Sequence, residues 1–473
     1  MKDKVTPAAG PNSRASESQG LRRSLSNRQI QMLAIGGVIG VGLFYGASLS
    51  VQMAGPAVVL VYLVFGLLTA LVMRALGEMT VDTPVSGSFS HYAAQYLGKR
   101  VGFVTGGMWW FYWVATVMSE LAAIGKLVEF WFPSFPAYAP GIVALVLFTV
   151  SNLFAVKVFG EVEYWFAVLK ILAIAVFMVF GVLIIAVGTF NHGHPAGFSN
   201  LWQYGGFAPH GWIGVFAAAS LVIQAYSGVE TLAVEAGESK NPKTNMPKAF
   251  RRVSMRILVL YVGSIFIMLA AFPWTYLIHH SGSPYVLMFA KAGVPIAATV
   301  VNLLIIFSGL SSCNTGLYGG SRMLYSLATR DQESTPSTKP GLENKSRLTK
   351  LNKNQVPHAA VWITALMISI GILITYLAPN NVYIWITSAS AFASLWTWGI
   401  VFLSEFRFRT LRQRSGQRPQ FAMPWWPAPT LLGMALLLVG LAAMVISPYT
   451  RVSVLSGVVF LAALWLYAWR RVR

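Results

Sequence analysis

Charged residues are scarce in this chain, and acidic residues are scarcer than basic ones. Only 11% of its 473 residues are charged, with 15 Asp and Glu against 35 Lys and Arg. A soluble protein has about 25% charged residues, so the composition excludes an ordinary soluble protein. The single cysteine, Cys313, excludes an internal disulfide bond. We predict no cleavable signal peptide, because the polar first 29 residues lead directly into an apolar segment.

Apolar stretches fill most of the remaining sequence. Hydrophobic residues make up 56% of the chain, and the stretches recur at lengths near the roughly 20 residues that cross a bilayer as a helix. The sequence therefore predicts an all-α integral membrane protein without a separate soluble domain. We number its twelve predicted transmembrane segments one to twelve, at about residues 30–50, 57–79, 101–130, 141–158, 163–189, 211–237, 254–275, 293–326, 358–378, 381–404, 427–447 and 451–470.

The net charge of +20 would suggest nucleic-acid binding in a soluble protein. Its distribution indicates membrane topology instead. Lys and Arg cluster in the N-terminal tail 1–29, in the polar loop 327–356 and at the C-terminus, while the opposite loops contain chiefly Lys291 and Arg451. This asymmetry follows the positive-inside rule. It predicts that both termini are cytoplasmic, and that the basic residues meet the lipid bilayer rather than nucleic acid.

Two apolar segments are interrupted by glycine at corresponding positions. Segment one contains Gly36-Gly37-Val38-Ile39-Gly40-Val41-Gly42, and segment six contains Tyr226-Ser227-Gly228-Val229-Glu230. Glycine inside a helix costs about 1 kcal/mol relative to alanine, and lipid penalises any freed backbone group. The glycines could simply allow close helix packing. Paired broken helices, however, are typical of a substrate site at the midplane of a secondary transporter.

The two broken segments each open a unit of five segments. Five is odd, so the second unit is expected to be inverted relative to the first. The predicted organisation is a cytoplasmic tail 1–29, a first repeat 30–189, an extracytoplasmic loop 190–210, an inverted second repeat 211–404 and a peripheral pair of segments in 405–473. His192, His194 and His210 in the loop 190–210 are interpreted as solvated residues, and no metal site is predicted.

The ends of half-helices suit a zwitterion. A helix N-terminus offers free N–H groups and partial positive charge, and a C-terminus offers free carbonyls. We therefore expect the N–H groups of Gly40, Val41 and Gly42 to meet a carboxylate. The carbonyls of Val38, Gln224 and Ser227 are expected to meet an ammonium group.

Several motifs resemble those of amino acid permeases of the amino acid–polyamine–organocation superfamily, in its bacterial proton-coupled branch. They are Gly36–Phe44, Gln52–Pro56, Arg74–Met79, Pro84–Phe89, Tyr226–Pro247 and Ser321–Tyr325. The resemblance implies the five-plus-five inverted-repeat fold of leucine-type transporters in a bacterial inner membrane. It also implies that Tyr226 covers the site as an aromatic lid. The predicted substrate-binding set is Val38, Gly40, Val41, Gly42, Gln224, Tyr226, Ser227 and Gly228.

Ionisable residues at the centre of a membrane helix cost about 2.5–3.5 kcal/mol on insertion scales and are functional by default. Lys170 stands alone among apolar residues of segment five, and the resemblance places it where sodium-coupled relatives bind a cation. It is predicted to carry the coupling proton, with a snorkelling lysine as the alternative. Glu120 and Glu230 are the acidic candidates for coupling, and Glu230 could instead clasp the broken backbone. Arg74 and Glu78, spaced i,i+4, predict a local ion pair.

The predicted function is secondary active import of an amino acid by proton symport with alternating access, without a cofactor. Few charged groups lie near the expected pocket, which favours a neutral or aromatic side chain, although a basic amino acid or GABA stays open. An antiporter or a sensor of the same fold is the alternative, whereas an enzyme or a channel lacks the required residue sets. Candidates for side-chain specificity are Ser308, Ser311, Ser388, Ser390, Trp109, Trp396 and Trp398.

Overall fold

We analysed a computed structural model of the chain. It describes residues 37–85, 87–154, 159–187, 197–235, 242–278, 283–334, 347–352, 356–378 and 381–472. Throughout these ranges the regular structure is helical. The N-terminal tail, Gly36, His192 and His194 lie outside the described residues, so the predictions made for them stay predictions.

Helices occupy the predicted segments of the first half. They are Val41–Phe44 and Gly46–Ala54 in segment one, Val58–Asp82 in segment two, Lys99–Val128 in segment three, Ala139–Phe154 in segment four and Phe159–Val187 in segment five. A 3-10 turn, Gly55–Ala57, joins segments one and two, and the short helix Ser88–Leu97 precedes segment three.

The second half is also helical. Segment six consists of Gly211–Ala217, Ala219–Tyr226 and Thr231–Glu235, followed by Pro242–Ala271 (seven), Pro295–Ser334 (eight), His358–Leu377 (nine), Val382–Arg414 (ten), Ala428–Ile446 (eleven) and Arg451–Arg471 (twelve). The connections hold the short helices Trp274–Ile278 and Pro284–Lys291 and the 3-10 turns Phe198–Leu201 and Arg347–Thr349.

Ten of the described helical stretches are long and apolar enough to cross a membrane. One of them, Val41–Asp82, is 42 residues long and covers both segment one and segment two, and the apolar helix Ala139–Leu153 of segment four is shorter than the others. The prediction of an all-helical membrane protein is thereby confirmed.

Several helices extend beyond their predicted ends. Segment eight continues to Ser334, inside the predicted loop 327–356, and segment ten continues to Arg414 instead of ending at 404. Segment seven begins at Pro242, about three turns before its apolar run. The apolar pattern marks only the part of a helix that meets lipid, so polar helix ends escape it.

Segment three forms the centre of the bundle and packs against segments eight and ten. The most apolar window of segment three is 78% buried, whereas those of segments eleven and twelve are 33% and 22% buried. Glycine permits close packing at this centre, because a Cβ on Gly316 of segment eight would lie 2.7 Å from the Trp113 ring. Segments eleven and twelve are thus among the least buried of these stretches.

A buried ion pair ties segments two and ten together. Glu78 pairs with Arg409, and both side chains are buried. The other Glu78 oxygen accepts the N–H of Met423. The predicted ion pair between Arg74 and Glu78 is therefore wrong: Arg74 donates to the Ala422 carbonyl and lies over the Phe421 ring, 3.6 Å from its centroid. Arg409 and the Met423 N–H bind the Glu78 carboxylate directly, so Arg74 does not pair with it.

We predict that Arg409→Met destabilises the protein by about 3–5 kcal/mol, because it leaves the Glu78 carboxylate buried without its cation. The double variant Glu78→Gln/Arg409→Met should recover most of this loss. Thermal unfolding of the purified protein in detergent measures both effects. Arg412→Met is the control, since the pair of Arg412 with Asp82 is more exposed and should contribute only about 0–1 kcal/mol. Equal losses for Arg409→Met and Arg412→Met would contradict the prediction.

Candidate functional site

Segment one is broken as the glycine pattern predicts. Gly37 and Val38 are helical, Ile39 and Gly40 are not, and a new helix begins at Val41. The Gly40 N–H donates to the Val38 carbonyl at 3.0 Å and makes a tight turn at the break. The backbone groups of about one helical turn are thereby freed from the regular ladder.

Side chains from neighbouring segments satisfy these freed carbonyls. The Tyr261 hydroxyl donates to Val38 O at 3.2 Å, and the Ser308 hydroxyl donates to Ile39 O at 2.8 Å. Val38 O thus accepts two hydrogen bonds, from Gly40 and Tyr261, which fills its two lone pairs. In this conformation Val38 O has no position left for the ammonium group that the sequence assigned to it.

A carboxylate already lies at the start of the second half-helix. Glu120 of segment three accepts the Val41 N–H at 3.0 Å through Oε2. Its other oxygen and the Ser312 hydroxyl lie beside Gly40, where a Cβ would come 3.3 Å from Ser312 Oγ. Glu120 is buried, whereas Lys126 of the same helix pairs with Glu129 at 3.0 Å.

Segment six is broken over Ser227–Glu230. Ser227 has an extended backbone, and Gly228 has a φ of +99°, a left-handed conformation that favours glycine. A Cβ on Gly228 would also lie 3.1 Å from the Tyr112 hydroxyl and 3.3 Å from Gly37 O. The Gln224 carbonyl accepts the Ser227 N–H at 3.1 Å and keeps one lone pair.

The two breaks face each other. A Cβ on Gly42 would lie 3.3 Å from the Ala225 Cα, and Gly37 O approaches Gly228 as described above. A cavity lies at this junction, and segments three, eight and ten contribute to its wall. Its lining consists of Gly37, Val38, Gly42, Tyr112, Thr116, Ser119, Glu120, Gln224, Ala225, Ser227, Ser312 and Tyr383.

Glu230 clasps the segment-six break. Its carboxylate accepts the indole N–H groups of Trp109 and Trp398, each at 3.3 Å, and the Gly228 N–H at 3.2 Å. These contacts join segments three, six and ten at one fully buried carboxylate. Of the two roles open from the sequence, the backbone clasp is the one that the contacts support.

Tyr226 does not cover the cavity in this conformation. Its hydroxyl donates to the Tyr62 carbonyl at 2.9 Å, and its ring packs 4.9 Å from that of Tyr261, centroid to centroid. The aromatic residues that do line the cavity are Tyr112 and Tyr383. The predicted lid therefore faces the opposite side of segment six, because a helix residue two positions from Gln224 points away from it.

Lys170 is buried but not alone. Its Nζ donates to Ser311 Oγ at 2.9 Å and lies 3.8 Å from Glu163 Oε1. Ser311 in turn donates to Glu163. The expectation of a lone lysine is wrong, because Glu163, the first residue of predicted segment five, lies beside it. A spacing of seven places Glu163 and Lys170 on one helix face, a signal that the sequence already contained.

Most candidates for side-chain specificity hold the scaffold instead. Ser308 binds the segment-one backbone, Ser311 binds Lys170, and both Trp109 and Trp398 bind Glu230. The cavity-lining residues with hydroxyl groups that the sequence did not single out are Tyr112, Thr116, Ser119, Ser312 and Tyr383. Thr116 precedes Glu120 by four residues, so the helical period could have placed both on one face.

Comparison with known proteins gives a consistent family. A model of the amino acid permease family matches residues 29–471. An uncharacterized amino acid permease of Bacillus subtilis is 40% identical over 453 residues, which cover 95% of each chain. A probable threonine/serine transporter of the same organism is 38% identical over 93% of each chain. An aromatic amino acid transport protein of Escherichia coli is 35% identical over 94% of each chain.

We predict that Trp109→Phe and Trp398→Phe each destabilise the protein by about 1.5–3 kcal/mol, because each removes a hydrogen bond to the buried Glu230 carboxylate. Thermal unfolding in detergent measures the loss. Trp165→Phe serves as the control, since Trp165 is 58% exposed on the bundle surface. If all three variants unfolded at the same temperature, the clasp would have no energetic role.

Proposed function

The chain belongs to the amino acid permease family, and from this premise we propose that it imports a neutral L-amino acid by proton symport with alternating access. Amino acid transport follows from the family. The observation that supports the finer proposal is the Glu120 carboxylate on the Val41 N–H, within a buried polar cavity between two broken helices. This geometry suits a substrate carboxylate at the same helix end.

The proposed architecture has twelve transmembrane helices, with an inverted repeat of 30–189 and 211–404 and both termini in the cytoplasm of a bacterium. The apposition of Gly42 with Ala225 and of Gly37 with Gly228 supports it. An inverted repeat brings equivalent broken helices face to face at the midplane. The excess of Lys and Arg in the predicted cytoplasmic loops supports the orientation.

The substrate backbone would bridge the two breaks. Its carboxylate would take the N–H groups at Val41 and Gly42, while its ammonium group would bind the carbonyls of Gln224 and Ser227. Val38 drops out of the proposed ammonium site, because Gly40 and Tyr261 occupy its carbonyl. Gly228 supports this site by allowing Ser227 its extended backbone, since only glycine readily adopts the conformation at residue 228.

Proton coupling would arise because the substrate carboxylate and Glu120 compete for the N-terminus of the helix that begins at Val41. The substrate carboxylate and the Glu120 carboxylate would share the Val41 N–H, and two like charges there repel each other. A proton on Glu120 removes this repulsion. By linkage, the proton then favours substrate binding as much as the substrate favours proton binding.

Lys170 extends this coupling to segments five and eight. It lies within electrostatic reach of Glu120 and pairs with Glu163. Two carboxylates and one ammonium leave a net charge of −1, which is costly in a buried site. One added proton makes the cluster of Glu120, Glu163 and Lys170 neutral. Glu230 stays outside this relay, since two indoles and a backbone N–H bind it.

Gly42→Val tests the substrate site. A Cβ at residue 42 already lies 3.3 Å from Ala225 Cα, so the valine methyl groups should push the breaks apart. Overpacking costs about 1–3 kcal/mol, which predicts about a 5- to 150-fold loss of amino acid affinity. Binding to the purified protein measures it. Gly399→Val is the control, because the nearest atom to its Cβ is Leu437 Cδ1 at 3.9 Å. Wild-type affinity in folded Gly42→Val would exclude this site.

Lys170→Ala tests the coupling. In proteoliposomes, an inward proton gradient should drive accumulation by the wild-type protein but not by Lys170→Ala, whereas downhill exchange of labelled amino acid should survive. Lys291→Ala, outside the membrane-spanning helices, should accumulate normally. Gradient-driven accumulation by Lys170→Ala would exclude Lys170 from the coupling and leave Glu120 as the proton carrier without it. Failure of the gradient to drive wild-type uptake, with exchange intact, would favour an antiporter.

A further inference from the structure

A directed chain of hydrogen bonds forms one wall of the cavity. Gln224 Nε2 donates to Thr116 Oγ1 at 3.0 Å, and Thr116 Oγ1 lies 2.7 Å from Ser390 Oγ. Ser390 Oγ donates to the backbone carbonyl of Tyr112 at 3.2 Å. The chain crosses from segment six through segment three to segment ten.

The Tyr112 carbonyl, at the end of this chain, fixes the direction of every hydrogen bond in it. A backbone carbonyl can only accept, so the single hydroxyl hydrogen of Ser390 is donated to Tyr112 O. The short contact between Ser390 and Thr116 then requires the Thr116 hydroxyl to donate to Ser390. Thr116 has no hydrogen left, so it accepts from the Gln224 amide. The Gln224 NH₂ group must therefore face Thr116, and its Oε1 must face elsewhere.

Gln224 Oε1 is a buried acceptor at the cavity wall. Gln224 lines the cavity and is 7% exposed. Among the described residues, no group hydrogen bonds to its Oε1. Leaving such an oxygen unpaired destabilises a protein, so its presence at a binding cavity points to a donor on the ligand.

We propose that Gln224 Oε1 accepts a hydrogen bond from a hydroxyl on the substrate side chain, so that this permease selects short hydroxyl amino acids, serine and threonine. The inference rests on the proposed function and assigns Gln224 a side-chain role in addition to its backbone carbonyl. It makes Gln224 a specificity-determining residue, and it makes Thr116 and Ser390 positioning residues for its amide.

Two hydroxyls beside Gln224 have no hydrogen free for an acceptor on the substrate. Ser119 donates to the Thr116 backbone carbonyl at 2.8 Å, and Thr116 donates to Ser390. A hydroxyl on the substrate side chain would instead supply the donor that Gln224 Oε1 needs.

The size and polarity of the cavity disfavour an aromatic side chain. In this conformation the cavity has about 10 Å³ of free space, which is room for about one water-sized group. An aromatic ring against Gln224 would leave Oε1 unpaired, a penalty that sites built around a hydrogen bond use to reject the wrong substrate.

Threonine and valine form the matched pair for the test, because they differ by a hydroxyl in place of a methyl group. In proteoliposomes, wild-type protein should take up threonine with at least about tenfold higher apparent affinity than valine. Gln224→Met should lower the affinity for threonine about tenfold and leave that for valine unchanged or improved. The control Gln52→Met replaces an exposed glutamine and should keep the wild-type ratio.

Each outcome decides a separate point. Equal losses for threonine and valine in Gln224→Met would assign Oε1 to the substrate ammonium group and overturn the inference. A wild-type ratio near one would overturn it without any variant, even if Gln224→Met failed to fold. Uptake of none of the twenty amino acids by the wild-type protein would overturn the proposed function as well. Thr116→Val should reduce the threonine-to-valine affinity ratio less than Gln224→Met does. The Gln224 amide then loses only its hydrogen bond to Thr116 and keeps Oε1.

Discussion

Backbone polar groups inside a membrane need partners from the protein itself, and this constraint organises the centre of the molecule. The helical hydrogen bonding of segments one and six is interrupted at Ile39–Gly40 and at Ser227–Glu230. Tyr261 and Ser308 then satisfy carbonyls of segment one, and Glu120 accepts an N–H. Glu230 performs the same task for segment six. These hydrogen bonds hold the neighbouring helices against the two breaks.

The two carboxylates at these breaks differ in how firmly they are bound. Glu230 accepts three hydrogen bonds, two of them from indoles that are themselves packed in segments three and ten. Glu120 lines the cavity, accepts the Val41 N–H and has Lys170 within electrostatic reach. We therefore propose a structural role for Glu230 and a coupling role for Glu120.

Sequence reasoning found the breaks because glycine inside an apolar helix is a local signal. It found Lys170, Glu120 and Glu230 because charge inside a membrane segment is also local. It failed where the partner lies elsewhere in the chain. Glu78 pairs with Arg409 rather than with Arg74. The spacing of residues within one segment does not predict a contact between segments two and ten.

The sequence by itself determined that this protein is helical and membrane-spanning, where its helices break, and which family it resembles. These properties depend on composition, local backbone preference and short motifs. Only the tertiary structure decided what each polar side chain binds. It turned Tyr226 away from the cavity and directed the Gln224 amide toward Thr116. Hydrogen bonds need partners within about 3 Å in a defined direction, and that distance is set by packing between segments far apart in the chain.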